Sequence, residues 1–302
     1  MAETPASTLA IEPTATTRAL PARVSWWGTL ASDPGSRVAL GFLALLGLAA
    51  LFAPWLTTYG PAQVLDPVGL QSLPPSASHW FGTDPVSRDV FSRMLHGARV
   101  SLRIAVLAAA LSATVGLAWG TIAALSRPLI DQVMMRTVDA LLSIPRLLLV
   151  LTIIALWPQV TPTALAVVLG GTGWFGISRL ARTEALAIRQ REFTAAATAL
   201  GVSTPVLLLR HILPHAVGPV LVASTIAVGQ VVVMEAGLYF LGVVPDVPAS
   251  WGSIIQDGRN APLTWWWLTL FPGVFLVAVS LSVNTIAGRL RSAINPRQLH
   301  GR

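Results

Sequence analysis

The sequence predicts an all-α integral membrane protein with six transmembrane helices, and three observations carry that prediction. The 302 residues are 54% hydrophobic and only 11% charged, with a mean hydropathy of +0.67, outside the usual range of soluble domains. Several apolar runs reach the roughly 20 residues a helix needs to cross a hydrocarbon core about 30 Å thick. No stretch shows the alternation of a lipid-facing barrel strand.

The residue types also exclude chemistry. All 20 cations are arginine, against 13 acidic residues, for a net charge of +7. Without lysine there is no Walker A contact for nucleotide phosphates and no Schiff base for pyridoxal or retinal, so energised work would need an ATPase on another chain. Without cysteine there are no disulfides, thiolate nucleophiles or cysteine-ligated metals. No Ser/His/Asp set or carboxylate pair is spaced for catalysis, so no catalytic residue is assigned. His211 and His215 stand four apart with no third ligand nearby, and no metal site is expected. The arginines decorate loops rather than one amphipathic face, which is a topology signal and not a nucleic-acid footprint.

Taken in order, residues 1–37 are rich in Pro, Thr and Ala, carry Glu3 and Glu12, and lack the apolar core of a signal peptide. They are expected to form a mobile tail. The membrane domain is expected over 38–288, with spans at 38–57, 101–125, 141–157, 164–180, 216–242 and 265–287. The third and fourth are short and joined by the tight "PQVTPT", which reads as a helical hairpin. Trp265, Trp266 and Trp267 open the sixth as an interfacial belt. A basic tail, 289–302, follows.

Six spans put both termini on one side. Fourteen arginines fall on that side and four on the other, namely Arg88, Arg93, Arg99 and Arg259, with Arg103 and Arg146 set aside as lying near span ends. The positive-inside rule then places both termini in the cytoplasm. Residues 58–100 and 243–264 become external loops, and 181–215 a cytoplasmic one.

That cytoplasmic loop contains "EFTAAATALGVSTPVLLLRHILPH", residues 192–215, apolar enough to be mistaken for a span. A span here would draw Arg210 into the bilayer, at a cost of at least about 2.5–3.5 kcal/mol, and would have to absorb Pro205, Pro214 and Pro219. Two short helices on the cytoplasmic face fit better. Residues 193–200 form the first, and Gly201 stops it in a left-handed conformation. Ser203 or Thr204 caps the second, Pro205 takes its first position, Val206, Leu207, Leu208, Leu209 and Ile212 give it an apolar body, and Leu213-Pro214 ends it. Ala195, Ala196, Ala197 and Ala199 leave the first helix a small-residue surface. It either packs on its own bundle or lets another protein approach its backbone.

The spacing of this loop resembles the EAA loop of ABC-importer permeases: Glu-Ala-Ala, three residues, Gly, nine residues, a hydrophobic position, one residue, Leu-Pro. Ala195-Ala196-Ala197, Gly201 and Leu213-Pro214 fill that frame. Ala195 stands where the family has Glu, and His211 stands at the hydrophobic position. Glu192, one turn earlier, is the candidate replacement carboxylate. The resemblance implies a coupling helix seated in a groove of a nucleotide-binding subunit, with Phe193, Ala196, Ala197 and Gly201 making or permitting the contact.

Two external segments narrow the family. "FGTDPVSRDV" resembles the Gly-Thr-Asp-x-x-Gly-Arg-Asp stretch of the C-type permeases of dipeptide and oligopeptide importers, with Ser87 in place of the second Gly. Asp84, Arg88 and Asp89 are its candidate contacts to a substrate-binding protein. From Asp89 onward Val90, Phe91, Met94, Leu95, Ala98 and Leu102 recur at helical spacing, an interfacial lead-in to the second span. "MEAGLYFLG" and "PASWG" resemble the same family's Glu-Ala-x-Leu-Ser-Phe-Leu-Gly and Pro-Ser-Trp-Gly segments, which makes Glu235, Tyr239, Ser250, Trp251 and Gly252 candidates for the translocation path or its external gate. Glu235 lies within a span, where a carboxylate pairs with an arginine or backbone group, meets a cationic substrate group, or relays protons. Trp251 either stacks on substrate or anchors its loop.

By resemblance the fold is that of a type I ABC importer permease in a bacterial inner membrane. Its implied partners are a second, homologous permease in a heterodimer, two ATP-binding subunits, an extracytoplasmic binding protein and membrane lipid. ATP and Mg belong to the ATPase subunits, and no cofactor is expected on this chain. The implied activity is import of dipeptides or oligopeptides. Two alternatives stay open: nickel or another small solute as cargo, and an ion-coupled secondary carrier built on Glu235.

Overall fold

The computed structural model describes residues 26–157, 159–244 and 249–294, where the regular elements are helices and one isolated bridge joins Thr83 to Asp89. The tail readings for 1–25 and 295–302, and the part of the external loop at 245–248, lie outside the described residues. Where the expected tail reaches described residues it is helical: α1 (Trp26–Ser32) precedes α2 (Pro34–Leu51). Asp33 caps α2 by accepting from the Ser36 backbone N–H at 2.9 Å, which, with Arg289 beside it, holds this carboxyl below the usual carboxylate range.

A short turn, α3 (Ala53–Leu56), leads into the long loop before α4 (Val90–Leu125). The expected lead-in and second span are one 36-residue helix of roughly 54 Å, capped by Asp89 at 2.8 Å from the Ser92 N–H. The expected third span, 141–157, corresponds to the last turn of α5 (Pro128–Leu142) and to α6 (Arg146–Ala155), two helices bent by 82° at their junction. Pro145 sits at the break, where it has no N–H to continue the helix. Next come α7 (Pro162–Arg189) and α8 (Glu192–Ala199).

The chain then departs from expectation again. The second short helix does not stop at Leu213-Pro214. Instead α9 (Thr204–Val206), a π-helical turn (Leu207–Ile212) and α10 (Leu213–Phe240) form one rod of 37 residues. Pro214 cannot donate to the carbonyl four residues back, and the wider π turn accommodates its ring; here the Leu213 N–H reaches Leu208 O. At about 55 Å the rod exceeds a bilayer core, so the turns carrying Arg210 and His211 need not enter hydrocarbon. The helices α11 (Trp251–Gly258) and α12 (Trp267–Ile294) complete the chain.

Five of these elements are long and apolar enough to cross a membrane, or six if the bent α5–α6 pair counts as one span. The tightest pair is α4 against α7. A Cβ on Gly120 would lie 2.2 Å from Ser178 O, and one on Gly170 would lie 2.8 Å from Leu111, so only glycine permits this approach. The bundle has two ends. One gathers the start of α2, the end of α4, α8, the π turn and the end of α12. The other gathers the loop before α4, the end of α10, α11 and the start of α12.

Candidate functional site

At the first end, α8 is fastened on one side and open on the other. Thr194 and Ala197 face inward, and the Thr194 hydroxyl donates to Ile188 O at 2.9 Å. Ala197 joins Ala185, Ile188, Leu207 and Ile212 in a small apolar cluster, so it supports α8 rather than meeting a partner. Gly201 takes φ +80°, the Gly201 N–H donates to Thr198 O at 3.0 Å and the Val202 N–H to Ala197 O at 3.1 Å, which is the paired closure of a Schellman stop. The expected role of Gly201 as a left-handed stop is therefore present in full.

The outward side carries Glu192, Ala195, Ala196 and Leu200, which is 85% exposed. Glu192 lies in the first turn of α8, where the helix dipole favours a carboxylate, and three residues before Ala195, so both share one face. Phe193 is partly exposed and lies against His215 and His211, at ring-centroid distances of 5.6 and 6.4 Å. The two histidines thus back an aromatic ring, and no group of three metal-ligating side chains exists among the described residues. Leu213 is half-buried and Pro214 exposed, at the junction of the π turn and α10.

The opposite end is closed. Asp84 is fully buried and accepts from Arg88 Nε at 2.6 Å and from Arg93, itself fully buried. Arg93 also reaches Asp257 of α11 at 2.6 Å, and Arg88 reaches the same carboxylate at 2.9 Å. Asp89 is buried too, occupied by the Ser92 N–H and by His79 Nδ1 at 2.9 Å. These residues, expected to touch a binding protein, are instead engaged within the chain: Asp84 and Arg88 tie the loop before α4 to α11, and Asp89 ties His79 to the start of α4. Trp267 corrects the belt reading in the same way: it is buried and donates from Nε1 to Thr83 O at 3.1 Å.

The gate candidates are likewise interior. Ser250 and Ser253 form a reciprocal capping box that starts α11, a helix where a loop was expected. Trp251 has no exposed surface and donates to Met94 O at 3.1 Å, which leaves no ring face for substrate and makes it an anchor. Gly252 is the point of closest approach: a Cβ there would lie 2.5 Å from Ala236 O and 2.7 Å from Tyr239 Cβ. Tyr239 and Glu235 are fully buried, and the Ser101 hydroxyl donates to Glu235 Oε1 at 3.2 Å. Glu235 forms no ion pair among the described residues; of the partners considered for it, neither an arginine nor a backbone group is in place, and its contact is the Ser101 hydroxyl. Arg146, set aside in the sequence as a span-end residue, starts α6 at the break and lines a cavity between α7 and α10. Pro145 was the readable signal of that break.

Comparisons with known proteins match this architecture. The family model for the inner membrane component of binding-protein-dependent transport systems covers residues 116–300, and that for the N-terminal transmembrane domain of oligopeptide transport permease C covers 23–75. The oligopeptide transport system permease protein OppC of Bacillus subtilis is 35% identical over 269 residues, covering 88% of this chain and 87% of the relative. The probable D,D-dipeptide transport system permease protein DdpC of Escherichia coli is 33% identical over 292 residues, covering 96% of each. A chain of the MetNI methionine ABC transporter in an inward-facing conformation shares the fold with a TM-score of 0.55 at 19% identity, covering 68% of this chain and 99% of that one. The relatives are permeases rather than enzymes, and family membership sets aside the secondary-carrier alternative. The chain belongs to the inner-membrane permease components of ABC importers, in the permease C branch of oligopeptide and dipeptide systems, and is a multi-pass protein of the bacterial inner membrane.

Proposed function

We propose that this chain forms half of the translocation path of an ATP-driven peptide importer and that α8 is its coupling element to an ATPase subunit. The carrying observation is the two-sided construction of α8. Its inner side is pinned by Thr194 and Ala197, its C-terminal end is sharply stopped at Gly201, and its outer side carries exposed alanines, with Leu200 projecting. A short rigid helix with a bare surface seats in a groove and transmits displacement. Because α8, the π turn and α10 are joined without a long flexible link, movement of α8 shifts the rod that forms the fifth span.

In this reading the α8 end faces the cytoplasm, as the arginine distribution supports. The partners are a homologous permease, two ATPase subunits that hold ATP and Mg, and an external binding protein that delivers di- or oligopeptides. Closure of the ATPases drives the paired bundles between outward- and inward-open states. Peptide cargo is supported by the substrates in the relatives' names, and Glu192 serves as the carboxylate of the coupling face by its place on one face with Ala195.

The test is Gly201→Val in the reconstituted complex. A Cβ at Gly201 meets nothing within 4 Å, so the substitution strains only the φ +80° backbone that stops α8. ATP hydrolysis should persist while peptide uptake falls. Wild-type uptake in this variant would remove the coupling role.

A further inference from the structure

We propose that Arg146, with Gln230 beside it, forms a cationic subsite in the wall of the translocation path that takes a carboxylate of the passing peptide; this rests on the peptide-importer reading above. A cavity of about 250 Å³ is lined by Ser112, Arg146, Gly173, Gly176, Ala227 and Gln230, among others. Three helices place it at the same depth. Gly173 is 11 residues into α7, Gln230 is 10 residues from the end of α10, and Arg146 is nine residues from the end of α6. At 1.5 Å per residue each lies roughly 14–17 Å from the α11 end of the bundle, near the middle of a bilayer core.

A guanidinium at that depth faces water or a partner rather than lipid. Arg146 makes no ion pair among the described residues. Its Nη2 donates to Leu169 O at 2.8 Å, while its Nε is buried and has no hydrogen-bond partner. The enclosed Nε cannot be reached, so what is left to meet a carboxylate is the outer end of the fork, Nη1 and the second N–H of Nη2. Gly173 lets Arg146 and Ser112 pack against the α7 backbone, since a Cβ there would lie 2.4 Å from Ser112 Oγ and 3.0 Å from Arg146 Nη2. Open space lies beside Gly176, which lines the same cavity and where a Cβ would meet nothing within 4 Å.

Gln230 adds the second polar group. It is exposed on this chain midway along the fifth span, where an amide facing lipid would be costly, and it offers both a donor and an acceptor to a peptide backbone. Every peptide with a free C-terminus carries a carboxylate, so such a site serves mixed cargo without reading side chains. One arginine already engaged by a carbonyl also binds weakly, as a path must for substrate to leave.

The chain has no cysteine, which allows a charge-restoration test. Arg146→Cys and Arg146→Lys are placed in the full complex, with its partner permease, ATPases and binding protein, in proteoliposomes. Peptides imported from a casein hydrolysate are read by mass spectrometry, alongside ATP hydrolysis. Arg146→Cys should lower import about tenfold or more across peptides while stimulated ATP hydrolysis persists. Aminoethyl methanethiosulfonate, which puts a cation back, should restore import, and the sulfonatoethyl reagent should not. Equal restoration by both reagents, or undiminished import by Arg146→Cys, overturns the subsite. Failure of both variants to assemble also overturns it, by making Arg146 an interface residue. If the wild-type complex imports no peptide, the peptide-importer reading itself falls.

Discussion

At the α11 end, Asp84, Arg93, Trp251 and Ser253 are buried to the last few per cent, whereas at the α8 end Ala195, Ala196 and Leu200 lie open. The first region spends its charged groups inward. Asp84, Arg88, Arg93 and Asp257 neutralise one another, with Asp257 reached by Arg93 and Arg88 over separations of 164 and 169 residues, and lock α11 onto α4. The second spends its small residues outward. A cavity of about 470 Å³ lined by Glu184, Arg191, His215 and Arg291, among others, lies there between the end of α7, the start of α10 and the end of α12. The chain thus closes its α11 end with its own side chains, while its α8 end leaves small residues and Leu200 open.

Substitutions can break that contrast. The largest effect is expected for Arg93→Ala, which leaves Asp84 buried with one partner fewer and should cost about 3–5 kcal/mol. Thermal unfolding of the purified complex in detergent measures it; an unchanged midpoint would mean the network does not hold α11. Gly252→Ala forces a methyl against the Ala236 backbone, which cannot yield as a flexible side chain would, for about 1–3 kcal/mol by the same assay. Arg182→Gln removes the twofold contact to Asp131, at 2.6 Å for both bonds, but that pair is partly exposed, so the loss should be at most about 1 kcal/mol. Least of all, Leu200→Ser at the open face should leave stability within about 0.5 kcal/mol of the wild type. Its peptide uptake should nonetheless fall, and a destabilised variant with normal uptake would reverse the assignment of that face.

Much of this was legible in the sequence wherever the signal is local. Gly201 announced its left-handed stop, Asp89 preceded a helical period that proved continuous, and the apolar runs marked the spans. What was hidden depends on pairs far apart in sequence. No helix was expected over most of α5, and nothing local says that its Asp131 and Asp139 pair with Arg182 and Arg179 of α7. The same holds for Asp257 with Arg93, which turned expected contact residues into fold residues. Two misses were local after all. Pro145 was in view at the bend of the third span, and Pro214 was read as a stop when a π turn could carry the helix past it.

The proposal that α8 docks on an ATPase subunit is tested most directly by position-specific cross-linking. A single cysteine at Ala196, exposed, or at Thr194, 1% exposed, is labelled with a benzophenone maleimide and irradiated in the assembled complex. The label at Ala196→Cys should join this chain to an ATP-binding subunit, and that at Thr194→Cys should stay within the chain. Cross-links from Ala196→Cys to lipid or to this chain alone would contradict the coupling role of α8.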